Sequence, residues 1–101
     1  MSVAHVILDQ LGGSRFVAMT GAKNLAETAD ALGGLAFRLP SRFAKDGINA
    51  VKITLDYSDT YIVKFLKIGK SKLTVVAQHD QVYCDQLVDL FEQQTGLYTH
   101  L

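Results

Sequence analysis

Apolar residues take every second position in the middle of the chain. The alternation runs through residues 49–55 and returns in residues 61–65, after the polar loop at 57–60. Alternation with a period of two is typical of a β-strand that buries one face. A third apolar run, Leu73–Ala77, follows the turn-like segment Gly69–Lys72. The pattern predicts a three-stranded meander around which the rest of the chain is organised.

Two further apolar runs, nearer the start of the chain, predict two more strands. The segment Ser14–Thr20 contains Phe16–Met19, a run that is long enough for a strand and too short for a helix. Residues 35–39 alternate and end before Pro40, which cannot donate a hydrogen bond to a sheet. Residues 22–34, between the two runs, are interpreted as a loop that can include one helical turn.

Both ends of the chain have the periodicity of helices. Residues 3–11 place apolar side chains four apart and end at two glycines. A second helix is predicted after Asp80, which can cap its first turn, and Gly96 can close it. Its buried stripe is expected to consist of Cys84, Leu87, Val88 and Phe91.

These elements predict a single α+β domain over residues 1–101. We expect a mostly antiparallel sheet of about four to five strands, with an N-terminal and a C-terminal helix packed on one face. The connections are short, which favours antiparallel pairing, because a parallel return needs a crossover of a dozen or more residues. The opposite face, with Lys52, Thr54 and Lys64, is then left for water or for a ligand.

Composition indicates an ordinary globular domain, with 49% hydrophobic and 20% charged residues. The single cysteine excludes an internal disulfide and suits a reducing compartment. No apolar run is long enough to span a membrane, and the first residues lack the basic start of a signal peptide. These features favour a cytoplasmic protein with no membrane partner.

Charge is distributed unevenly, although the net charge is zero. Residues 38–72 carry eight basic and three acidic side chains, whereas residues 73–101 carry four acidic and no basic ones. Solvation of sheet edges is the commoner reason for such lysines, and an electropositive binding surface is the alternative. The candidates for nucleic-acid binding are Arg38, Arg42, Lys52, Lys64, Lys67, Lys70, Lys72 and Tyr57.

The sequence contains no recognisable catalytic or metal-binding pattern. The three histidines and Cys84 are scattered, so they predict neither a metal site nor a nucleophile with its base. Gly69-Lys70-Ser71 ends like a phosphate-binding loop, but Lys64 stands where that motif needs a glycine. We therefore expect no catalytic residues, no metal and no cofactor.

The C-terminal tail is apolar for a chain end. Leu97, Tyr98 and Leu101 are expected to dock on the sheet or to contact a partner. The partner can be another protein or a second copy of this chain.

Several segments of the chain resemble a group of small bacteriophage and mobile-element proteins to which no activity is attached. They are Met19–Asn24, Leu35–Pro40, Asn49–Leu55, Asp59–Phe65, Val82–Leu87 and Thr95–Thr99. The resemblance implies a phage or mobile-element origin and a bacterial cytoplasm. It implies no functional residues.

Two functional hypotheses follow. The first is a non-catalytic accessory protein that binds nucleic acid weakly through a basic sheet surface. The alternative is a protein-binding module, or an inhibitor of a host defence complex, that acts through a sheet edge or the C-terminal tail.

Overall fold

The computed structural model describes residues 3–29, 32–40 and 45–97. Within these ranges the helices are α1 (Val3–Leu11), α2 (Ser14–Thr20) and α3 (Leu87–Thr95), with short 3₁₀ turns at Lys45–Gly47 and Cys84–Gln86. The strands are β1 (Lys23–Glu27), β2 (Gly34–Arg38), β3 (Ala50–Leu55), β4 (Tyr61–Ile68) and β5 (Leu73–Val82).

The five strands form one antiparallel sheet in sequence order, β1-β2-β3-β4-β5. The central hairpin pairs β3 with β4 from Ala50 opposite Leu66 to Leu55 opposite Tyr61, without a bulge. In its loop the Asp56 N–H donates to the Thr60 carbonyl at 2.8 Å. The α+β class with an antiparallel sheet and a helix at each end is confirmed.

The helices pack against one face of the sheet, here called the inner face. Ile7 of α1, Phe16 of α2 and Phe91 of α3 are all within 2% of full burial. The Phe16 ring meets the rings of Phe37 and Phe91 edge to face, at centroid distances of 5.3 and 5.2 Å. Aromatic pairs prefer this geometry, so the cluster joins two helices to the sheet. The buried strand residues of the inner face include Leu35, Phe37, Val51, Ile53, Tyr61, Val63 and Phe65.

The prediction of a strand at Ser14–Thr20 is wrong, because this segment is helix α2. The helical spacing of four buries both Phe16 and Thr20, and the Thr20 hydroxyl donates to the Phe16 carbonyl at 2.8 Å. Gly21, with φ 73°, ends the helix in the left-handed conformation that glycine adopts without strain.

Strand β1 lies within residues 22–34, the segment for which the sequence pattern predicts a loop. Strand β1, at Lys23–Glu27, is exposed along its whole length and has an irregular register against β2. An edge strand without a buried face does not need alternating apolar residues. The sequence pattern therefore carried no signal for it.

The prediction for the C-terminal helix is partly wrong. Asp80 belongs to β5, and the α-helix begins only at Leu87, after the 3₁₀ turn. Cys84 lies in that turn and is exposed, not part of a buried stripe. Leu87 and Phe91 are buried as expected, and Gly96 ends the helix with its N–H on the Glu92 carbonyl at 2.9 Å.

Candidate nucleic-acid interface

The sheet face opposite the helices, here called the outer face, is formed by the alternate strand residues that point away from the core. No helix in the described ranges packs on it. Because cross-strand partners lie on the same face, the sheet register aligns its side chains in rows. The outer-face residues include Ala36, Arg38, Lys52, Thr54, Ile62, Lys64, Leu66, Leu73, Val75 and Gln78.

Two lysines stand directly opposite each other at the centre of the outer face. Lys52 of β3 pairs with Lys64 of β4, in a row that continues to Ala36 on one side and Gln78 on the other. Like charges directly opposite each other on neighbouring strands are destabilising. The pair borders a depression of about 170 Å³, together with Thr54, Ile62 and Gln78. This arrangement concentrates positive charge at a concave point.

Arg38 adds a third cation on the same face, one strand away from Lys52. It is opposite Ala50 of β3 on one side and Lys23 of β1 on the other. Its Nε is buried and has no hydrogen-bond partner among the described residues. A buried donor without a partner costs free energy.

The remaining basic candidates do not join this group. Lys67 is three residues from Lys64 along β4 and therefore belongs to the opposite face. A Cβ at Gly47 would lie 3.2 Å from its Cε. Lys67 and Lys72 instead line a second depression, at the β4–β5 turn, together with Gly69 and Thr74. Lys70 is exposed in the turn itself. Two basic groups are therefore present, one on the outer face and one beside the turn.

Tyr57 is far from the second basic group. Its side chain is 82% exposed in the β3–β4 loop. The eight residues of β4 separate that loop from the Lys70 turn, a distance of about 26 Å. Arg42, the last candidate, lies outside the described residues.

The described strand residues of the outer face do not include side chains that stack on bases. Its described strand residues include no aromatic ring, and the β4–β5 end of the face carries aliphatic Leu66, Leu73 and Val75 instead. Stacking platforms of proteins that bind single strands use aromatic side chains. The arrangement can contact phosphates but offers no platform for bases.

The sequence pattern did not place two residues on the outer face, Lys23 and Gln78. Lys23 reaches the row of Arg38 only because β1 is a strand, which the pattern did not indicate. Gln78 lies next to Lys64 because β5 continues beyond Ala77, the predicted end of that strand. Both depend on pairing between strands, which no local signal revealed.

Of the three tail candidates, Leu97 lies within the described residues. Leu97 is half-buried and packs against the core cluster, which accounts for its apolar character without a partner. Tyr98 and Leu101 lie outside the described residues.

Titration and metal chemistry give no further site. Burial raises the pKa of the Tyr61 hydroxyl above its ordinary value, and the hydrogen bond to Gln10, 2.8 Å long, opposes part of that shift. No group of His, Cys, Asp and Glu in the described ranges could hold a metal ion. None of the described helices is long and apolar enough to cross a membrane.

Comparisons with protein-family models, curated proteins and solved structures gave no match to this chain.

Proposed function

We propose that this protein is a non-catalytic nucleic-acid-binding protein that holds phosphates on its outer face. The observation that supports this proposal is the cross-strand pair of Lys52 and Lys64 on a face that no described helix covers, with Arg38 one strand away. Phosphate contacts from Lys and Arg supply most of the affinity of proteins that bind without sequence preference. A bound phosphate would also relieve the repulsion between the two lysines.

The expected binding is weak and independent of sequence. Three cations on one face can neutralise about three phosphates. Without aromatic rings among the described strand residues of that face, bases should add little, so single strands and duplexes should bind with similar affinity. The role in the cell would be that of an accessory protein of a phage or mobile element in a bacterial cytoplasm, which the resemblance of its sequence segments supports.

Two charge reversals in one strand test the proposal. Lys64→Glu changes the outer face, whereas Lys67→Glu, three residues along β4, makes the same change on the other side of the sheet. Fluorescence polarisation with a labelled oligonucleotide should show a loss of affinity of roughly tenfold or more for Lys64→Glu and little change for Lys67→Glu. Equal loss in both variants, or none in Lys64→Glu, would contradict binding by the outer face.

A second candidate function is inhibition of a host protein complex through β5. The observation that favours it is the exposure of two aliphatic residues, 57% for Leu73 and 48% for Val75. Exposed aliphatic residues in an edge strand are typical of strand addition to a partner. Under this function, Val75→Lys should abolish co-purification of a defined host complex, while Lys64→Glu should leave it intact.

A further inference from the structure

Strand β5 is a long edge of the sheet. It spans ten residues, Leu73–Val82, and in the described ranges its strand partner is β4 alone. Its first half, Leu73–Ala77, is apolar except for Thr74 and contains neither charge nor proline. Such a strand presents backbone N–H and C=O groups to any chain that can pair with them.

The other edge of the sheet is shorter than β5 and, unlike the first half of β5, carries charged residues within the strand. Strand β1 has only five residues, includes Lys23 and Glu27, and has an irregular register near Asn24. Short length, charges and bulges are the usual devices that prevent edge pairing. In β5 the register shifts at two points, near Val76 and before Val82, so residues 73–75 and 77–79 remain regular.

The two ends of β5 carry charges of opposite sign. Lys70 and Lys72 precede the strand, and Asp80 stands near its other end. A groove of about 380 Å³ runs beside that acidic end, between β5 and α3, and its lining includes His79, Asp80 and Asp89. Two copies of β5 aligned in opposite directions would place the basic end of each beside the acidic groove of the other.

We propose that the partner of this edge is a second copy of the chain, paired antiparallel through β5. A two-fold axis across the strand makes every contact occur twice, as in most homodimers. Leu73 and Gln78 both belong to the outer face. A pairing register that puts outer-face residues of the two copies opposite each other therefore places Leu73 of one copy opposite Gln78 of the other. Lys72 of the second copy then lies opposite His79, beside Asp80 and Asp89.

The pairing joins the two five-stranded sheets into one and places both outer faces on the same side. Leu73 and Val75, which are exposed in the single chain, become central in the joined sheet. The two Lys52–Lys64 pairs would then face the same ligand. The dimer itself does not depend on nucleic-acid binding and can be tested without any ligand.

A charge swap tests the pairing. Sedimentation velocity over a range of micromolar concentrations should show a monomer–dimer equilibrium for the unaltered chain. Lys72→Glu and Asp80→Lys should each weaken the dimer by roughly tenfold or more, because each puts like charges together at two symmetric contacts. The double variant, with both changes, should recover most of the dimer, because opposite charges meet again.

Lys23→Glu, at the β1 edge of the sheet, is the matched control and should leave the equilibrium unchanged. Circular dichroism spectra of each variant show whether the fold is retained, since surface changes of this kind cost little stability. A chain that stays monomeric at the highest concentration would overturn the proposal. So would a dimer that both single variants retain, or a double variant that remains as weak as the single ones.

Discussion

Replacing Lys64 with glutamate should stabilise the fold while it weakens nucleic-acid binding. Lys64 is directly opposite Lys52 on the outer face, so the native pair brings two positive charges together. The variant converts that repulsion into an attraction between opposite charges. In a phosphate-binding site the two lysines contribute to binding the ligand. For the stability of the sheet alone, the repulsive pair is unfavourable.

The size of the effect follows from the register. Cross-strand pairs of opposite charge contribute about 0.2–1 kcal/mol, and like charges cost a similar amount. Removing one and adding the other should raise the free energy of unfolding by about 1 kcal/mol. For a domain of this size, that corresponds to a rise in Tm of about 5 °C.

Urea denaturation and thermal melts at low ionic strength measure the change. Lys67→Glu serves as control, because Lys67 is on the other side of the sheet and its reversal does not alter the pair. The gain for Lys64→Glu should shrink in high salt, since screening weakens interactions between exposed charges. A Lys64→Glu variant that is less stable than the native chain, or a gain that salt leaves intact, would refute the reasoning.

Three further predictions concern the core and its supports. Phe16→Ala should cost about 3–5 kcal/mol in urea denaturation, because the ring is fully buried. Asn49→Ala should cost about 1–3 kcal/mol, since the Asn49 amide donates to the Ile68 carbonyl at 3.0 Å and accepts from the Ile68 N–H at 2.8 Å. Burial raises the pKa of Tyr61, so the folded state favours the protonated hydroxyl, and the stability linked to it should be lost as pH rises through the raised pKa. Unfolding measured between about pH 9 and 11 should show a smaller loss for Tyr61→Phe, and equal losses would contradict this assignment.

The sequence pattern predicted the strands that bury one face. Val51 and Ile53 alternate with polar neighbours, and the sheet buries both of them. The same reasoning gave a wrong prediction where the local apolar pattern did not match the pattern of burial. Phe16–Met19 is continuously apolar, and the helix that contains it buries Phe16 while leaving Met19 36% exposed.

The candidate site was harder to predict than the strands, because it depends on which residues of neighbouring strands are paired. Alternation alone put Lys52 and Lys64 on one face, and this was predicted. The exact opposition of the two lysines requires the register of β3 and β4, which the loop at residues 57–60 determines. Lys67 could not be separated from Lys64 by charge counting, although the strand period places the two on different faces.

The dependence of binding on salt tests the central claim most directly. The affinity for a short duplex should be measured by fluorescence polarisation at several salt concentrations, with protein dilute enough to be monomeric. Phosphate contacts from Arg38, Lys52 and Lys64 predict that log K falls with log salt at a slope of about −2.7, and Lys64→Glu should reduce the magnitude by about one unit. A slope near zero, or an unchanged slope in Lys64→Glu, would contradict nucleic-acid binding by the outer face.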